Sequence, residues 1–185
     1  MNGLRVIGGS AKGRRLKTAK TGSLRPVTDY IREALFDILA SRVGDSVFLD
    51  LFAGSGSIGI EALSRGARQA VFVEKEPRTA RLIKDNLATT GFSGQALVFT
   101  GDVFQSLSYL QRHAYEFDLV FIDPPFGRGL VAPTLEETVR RGLVAGGGLI
   151  VTRSARDREP EPHLAPVRAR VYGDSVLRFY AVGEE

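Results

Sequence analysis

A doubly wound α/β fold, built on a mostly parallel seven-stranded sheet, follows from three features of this 185-residue chain. From Ser46 onward, short apolar runs alternate with stretches of helical periodicity, the pattern of successive βαβ units. One of those runs, Leu119-Val120-Phe121-Ile122, is apolar on both faces, as a parallel strand covered by helices on two sides requires. The last two runs are separated only by Gly173-Asp174, so they read as an antiparallel hairpin on one edge of the sheet.

In chain order, Leu4-Arg5-Val6-Ile7 and Arg14-Arg15-Leu16-Lys17 flank a turn-rich Gly8-Gly9-Ser10-Ala11-Lys12-Gly13, and a basic β-hairpin is expected there. After Arg25-Pro26, Ile31, Leu35 and Ile38 recur at helical spacing, and Thr28 or Asp29 is placed to cap a helix running to about Ala40. Strands are expected at 47–51, 70–74, 96–100, 119–122 and 149–152. Helices are expected between them at 58–65, 77–90, 103–113 and 133–141, the second with Pro77 suited to a first helical turn. Residues 156–166, with Pro160, Pro162 and Pro166, read as a loop, and the closing hairpin takes 168–172 and 175–182.

The formal net charge of +4 is unevenly distributed. Residues 1–28 hold seven basic side chains (Arg5, Lys12, Arg14, Arg15, Lys17, Lys20 and Arg25) and no acid, while 29–185 hold 18 basic and 21 acidic ones. The division marks 1–28 as a basic extension of a 29–185 domain and suggests an anionic partner, of which nucleic acid is the commonest; a solvated arm is the plain alternative. The chain has no cysteine, which excludes disulfides, thiolate metal sites and a Cys nucleophile. It has no run of membrane-spanning length and no apolar leader at its start, so a soluble, cytoplasmic protein is expected. His113 and His163 are isolated, no metal constellation is visible, and nothing suggests an obligate dimer, so a metal-free monomer is expected.

The first strand passes through Asp50-Leu51-Phe52-Ala53-Gly54-Ser55-Gly56-Ser57-Ile58-Gly59 into a helix. The glycines allow a ligand close to the backbone, and the helix start offers free N–H groups. A carboxylate four residues before Gly54 favours a cationic ligand over a pyrophosphate, and the pattern resembles the opening motif of S-adenosylmethionine-dependent methyltransferases. Glu74 follows Asp50 by 24 residues at the end of the second strand, near the separation at which an acid meets ribose hydroxyls. Asp102 follows the third strand; the resemblance implies that it accepts from the adenine amine, and its plain alternative is a helix N-cap. Phe52, Ser55, Lys75 and Val103 complete the candidate cofactor set.

After the fourth strand stands Asp123-Pro124-Pro125-Phe126. Two prolines fix the backbone and remove two donors, leaving the Asp123 carboxylate and the Pro124 carbonyl as acceptors beside an aromatic face. An exocyclic base amine is a poor nucleophile because its lone pair is delocalised. Two acceptors on its N–H bonds turn that lone pair outward toward a methyl sulfonium, while Phe126 stacks on a base drawn out of its helix. Methylation at pyrimidine C5 ordinarily needs a Cys adduct, which this chain cannot form.

Arg5-Val6-Ile7-Gly8-Gly9, Lys12-Gly13-Arg14-Arg15-Leu16, Arg25-Pro26, residues 29–39, Leu51-Phe52-Ala53-Gly54-Ser55-Gly56, residues 61–67 and Asp123-Pro124-Pro125-Phe126 together resemble the bacterial 16S rRNA guanine-N2 methyltransferase family RsmD. The likeness covers most of 4–130. It implies a Rossmann-like methyltransferase sheet, S-adenosylmethionine as donor with S-adenosylhomocysteine as product, and a guanine in a 16S rRNA loop of the small ribosomal subunit as acceptor. Arg5, Lys12, Arg14, Arg15, Lys17, Arg25 and Arg32 are the candidate RNA contacts. Tyr30 departs from the family, which usually has Arg or Lys there, and Arg32, on a different helical face, is the substitute candidate. An adenine-N6 or another guanine-N2 enzyme acting on a different RNA or DNA stays open. A nicotinamide oxidoreductase uses the same glycines and Glu74 but gives no reason for Asp-Pro-Pro-Phe or the basic arm, and an inactive binding module is the remaining alternative.

Overall fold

The structure, a computed structural model, describes residues 3–18, 28–156 and 164–183. Lys20, Arg25, Pro26, His163 and most of the expected 156–166 loop lie outside the described residues.

Helix α1 (Asp29–Ile38) is capped by Thr28, whose Oγ1 accepts from the Ile31 N–H, and runs almost directly into the short α2 (Ala40–Val43). Then β1 (Val47–Leu51), α3 (Ser57–Ser64), β2 (Gln69–Glu74) and α4 (Pro77–Thr90) follow. The second half contains β3 (Ala96–Thr100), α5 (Val103–Arg112), β4 (Phe117–Ile122), α6 (Val131–Arg140) and β5 (Val144–Ala155). The chain closes with β6 (Arg168–Tyr172) and β7 (Ser175–Ala181). Pro77 opens α4 and Gly91, at φ +84°, ends it.

The strands order as β3-β2-β1-β4-β5-β7-β6. Neighbours are parallel from β3 to β5, and β7 is antiparallel to both β5 and β6. Gly173, at φ +58°, turns the β6–β7 hairpin in the two residues between Tyr172 and Ser175. The expected doubly wound sheet with its antiparallel C-terminal hairpin is therefore observed. Chain direction across the sheet reverses between β1 and β4, which places the ligand crevice outside their carboxyl ends.

Alternation along each strand divides the core in two. Phe48, Phe72 and Phe121 face α1, α3 and α4, together with Val6, Ala11 and Leu16 of the N-terminal segment. Leu49, Val71, Val120 and Ile150 face Leu107 and Leu110 of α5 and Leu135 of α6. The expected N-terminal hairpin forms one antiparallel bridge, Arg5 to Arg15, flanked by Val6 N–H to Arg14 O (2.9 Å) and Leu16 N–H to Leu4 O (2.8 Å). Strand β5 is much longer than the expected 149–152, because its first half contains Gly146-Gly147-Gly148, a run that reads as a turn. The pairing of β4 with β5 shifts register between Phe117 and Leu119, and a Cβ on Gly148 would stand 2.8 Å from the Ala145 carbonyl, so this irregular stretch requires glycine.

Candidate active site

Backbone geometry at the end of β1 is unusual. Phe52, Gly54 and Gly56 all have left-handed φ values (+63°, +56° and +76°), and for a residue as bulky as Phe52 that is a strained conformation. The loop is held by Ala53 N–H to Val73 O (2.9 Å), Gly56 N–H to Ala53 O (2.8 Å) and Gly54 N–H to Glu74 Oε2 (2.9 Å). A Cβ built on Gly54 meets no atom within 4 Å, so open space lies directly over the loop. Gly59 serves packing: a Cβ there would come within 2.3 Å of the Phe72 ring. The Ser55 side of the loop is tied to α4 by Asn86, whose Nδ2 donates to the Ser55 carbonyl (2.9 Å) and to that of Lys17 (3.0 Å).

Four acids end or follow the parallel strands. Asp50 is almost fully buried, and its Oδ2 accepts from the Gly59 N–H at 3.0 Å, so this carboxyl anchors the start of α3 rather than standing open to a ligand. Burial pushes its pKa well up, and the charges of Asp123 and Glu74 push the same way against the Gly59 bond. Glu74 is half-buried; besides Gly54, it accepts from the Glu76 N–H at 2.9 Å, which fixes both carboxylate oxygens toward the loop mouth. Each oxygen retains acceptor capacity beyond one N–H. Asp102 caps α5 through Oδ1, accepting from Phe104 (2.9 Å) and Gln105 (3.4 Å), so the N-cap alternative is observed. Lys75 is exposed beside Glu74, and Val103 packs its side chain into the α5–α6 core.

Asp123 leaves β4 beside β5. Its Oδ1 accepts from Arg153 Nε at 2.8 Å, and both side chains are mostly buried. Burial raises the Asp123 pKa, and the charge and hydrogen bond of Arg153 pull it back. The same guanidinium lies over the Phe126 ring, 4.9 Å from the centroid, while Phe126 remains 39% exposed. Pro124 is buried and Pro125 exposed. Arg153, bonded to Asp123 and lying over Phe126, is a neighbour of the candidate site that the sequence did not point to. Its one signal is register: Ile122 pairs with Thr152, so the next residues along the two strands, Asp123 and Arg153, fall side by side.

The basic residues separate into two groups. Arg5, Lys12, Arg14, Arg15 and Lys17 are exposed on the N-terminal segment, with Arg5 3.6 Å from Asp29 and Lys17 3.0 Å from Asp85. Arg32 does not join them. It is completely buried, and its Nη2 donates to the Arg5 carbonyl (2.6 Å) and to Asp29 (2.8 Å). The assignment of Arg32 as an RNA contact is corrected accordingly: its charge is used inside the fold to hold α1 against the N-terminal segment. Tyr30, by contrast, is 69% exposed.

A second residue without a sequence signal is Glu61. Its fully buried carboxylate accepts from the Ile7 N–H (2.8 Å), the Gly8 N–H (2.7 Å) and Arg65 Nε (2.8 Å). Ser64 adds a bond to the Gly8 carbonyl (2.6 Å) and accepts from the Ala11 N–H (2.9 Å). The N-terminal segment is thereby bound to α3, whose start carries the glycine loop.

The pattern of the family described as Conserved hypothetical protein 95 matches residues 4–181. The chain is 39% identical over 184 residues to ribosomal RNA small subunit methyltransferase D of Escherichia coli strain K12, covering 96% of this chain and 89% of that protein. A solved hypothetical protein of Thermus thermophilus superposes with a TM-score of 0.85 at 37% identity, covering 97% of this chain and 99% of that one. An RNA methyltransferase of Salinibacter ruber, solved with S-adenosyl-L-homocysteine, shares the fold with a TM-score of 0.70 at 19% identity, over 87% of this chain and 95% of its own.

Proposed function

The chain belongs to the small-subunit ribosomal RNA methyltransferase D family, and from that premise we propose that it methylates the exocyclic N2 amine of a guanine in a 16S rRNA loop, with S-adenosylmethionine as donor. The observation that carries the reading is Asp123 at the carboxyl end of β4, its carboxylate held by Arg153 beside the exposed Phe126 ring. A phosphate-binding dinucleotide site gives no reason for that group.

The residues around the glycine loop fit the donor. Left-handed φ values at Phe52, Gly54 and Gly56 and the open space over Gly54 allow a nucleoside to lie against the backbone, and Glu74 stands at the loop mouth as the ribose acceptor. Asp102 stays at the adenine end with one oxygen engaged in the helix cap. When bound, S-adenosylmethionine supplies an electrophilic methyl whose bond to sulfur breaks as its bond to the amine nitrogen forms. Asp123 and the Pro124 carbonyl accept the two N–H bonds and Phe126 stacks on the base, fixing the nitrogen lone pair for in-line attack. Arg153 opposes the rise that burial imposes on the Asp123 pKa and so favours its ionised, accepting form. The positive charge that develops on nitrogen is stabilised by that carboxylate and discharged by loss of a proton to Asp123 or solvent.

Exposed Arg5, Lys12, Arg14, Arg15 and Lys17 follow the RNA backbone, supplying affinity without reading sequence. The partner is small-subunit rRNA or its assembling particle in the cytoplasm; no described helix is long and apolar enough to cross a membrane. The test is to incubate the protein with labelled S-adenosylmethionine and small subunits lacking the modification, digest the RNA and identify the nucleoside. N2-methylguanosine at one loop position is expected, and N6-methyladenosine or unlabelled RNA overturns the reading. Asp123→Ala abolishes transfer while leaving S-adenosylmethionine binding near normal; normal turnover removes Asp123 from this role.

A further inference from the structure

Tyr30 packs edge-on against Tyr172 with ring centroids 5.8 Å apart and planes at 79°. The pair joins the N-terminus of α1 to the edge strand β6: Tyr172 rests partly buried against the core, while Tyr30 stays 69% exposed. The adjoining edge strand is basic, although Asp29 and Glu33 of α1 and Asp174 stand near the pair. Strand β6 reads Arg168-Ala169-Arg170-Val171-Tyr172, with two exposed arginines and no acid. Alternation puts Arg168, Arg170 and Tyr172 on one face, opposite Phe179, Leu177 and Ser175 of β7. Phe179 and Leu177 belong to the same core layer as Val6, Ala11 and Leu16, so this face lies on the same side of the sheet as the basic N-terminal segment.

Register also connects this face to the reacting centre. Arg153 pairs with Leu177, which pairs with Arg170, and Asp123 lies beside Arg153. Asp123, Arg153, Leu177 and Arg170 thus form one row across four strands, and three interstrand steps put Arg170 about 14 Å from Asp123. Tyr172 stands two residues further toward the carboxyl edge, where the base pocket opens.

We propose that Tyr30 and Tyr172, flanked by Arg168 and Arg170, form a stacking platform for an unpaired nucleotide of the RNA a few positions from the methylated one; this rests on the RNA reading above. A base stacks on an aromatic face without sequence preference while arginines hold its phosphates. Two aromatics locked edge to face lose little freedom on binding it, and the adjoining arginines favour a polyanion over an apolar protein surface.

The chain has no tryptophan, so Tyr30→Trp introduces a single indole reporter. Titration with single-stranded oligoadenylate should change its emission, whereas inorganic polyphosphate at matched charge should not. Equal responses, or none to the oligonucleotide, overturn the platform. In turnover, Tyr30→Ala and Tyr172→Ala should each raise the KM for RNA substrate about tenfold, the effect of one lost stacking contact. Tyr30→Phe should restore the parent value, and kcat, S-adenosylmethionine affinity and the salt dependence of binding should hold. A KM within twofold of the parent overturns the proposal. So does a KM raised on assembled subunits but not on naked rRNA, which identifies a ribosomal protein as the occupant. If no RNA is methylated at all, the function has failed; if methylation stands while the indole emission ignores bases, only the platform has.

Discussion

Replacing Arg153 by leucine removes the cation bonded to Asp123 while leaving an apolar side chain in its place. The 2.8 Å bond joins two charges that are both mostly buried, so it is of the charge-assisted kind that contributes about 1.5–3 kcal/mol. Its loss raises the Asp123 pKa further, beyond the rise already caused by burial. The sign follows from the role. In the proposed role Asp123 is an acceptor, so transfer is supported above its pKa and fades as pH falls through it. A higher pKa therefore moves the acid limb of the rate profile toward neutrality. Single-turnover methyl transfer to small subunits, measured from acid to alkaline pH, reads this limb directly. Arg153→Leu should be slow at neutral pH and recover with increasing alkalinity, whereas Arg153→Lys, which retains the charge without the planar fork, should restore most of the limb. A profile lowered evenly at every pH would show that Arg153 supports only the local structure, and an unshifted limb would refute the argument.

Three further outcomes follow from packing and charge. Gly59→Ala drives a methyl into the Phe72 ring and should cost about 1–3 kcal/mol in denaturant unfolding; a change under about 0.5 kcal/mol would mean the helix moves away freely. Glu61→Ala leaves the Ile7 and Gly8 N–H groups without their acceptor at about 1–3 kcal/mol each, so limited proteolysis should cut the N-terminal segment early while S-adenosylmethionine binding persists. Unaltered protease resistance would contradict that anchor. Arg14→Ala with Arg15→Ala should flatten the salt dependence of RNA binding by about 1.4 in log–log slope, about 0.7 for each lost phosphate contact, and an unchanged slope would place these arginines off the RNA.

The local signals served well where the physics is local. Thr28 and Pro77 mark helix starts because capping and φ preferences act over a few residues, and those starts fall where they predict. The seven strands were legible because alternation between apolar runs and helical periodicity records burial directly. The glycine run of β5 misled for an equally local reason: it carries none of the β-branched pattern, although close approach to Val144 and Ala145 makes glycine necessary there. Arg32 misled because its charge suggests surface, whereas the Arg5 carbonyl and Asp29 engage its Nη2 inside the fold.

The class of fold could be read from the sequence, as could the placing of Asp50, Glu74, Asp102 and Asp123 at or just after the ends of parallel strands, because strand ends and the residues after them are specified by short-range pattern. The sequence also divided the charge, showing a basic first segment ahead of a mildly acidic domain. Tertiary structure alone decided what each charge touches. Glu61 meets a backbone more than 50 residues away, Arg153 meets Asp123 from 30 residues along the chain, and Tyr30 meets Tyr172 across the whole domain. Such contacts depend on strand order and register, which arise only when every strand has found its neighbour, and no stretch of sequence short enough to have its own pattern contains both partners.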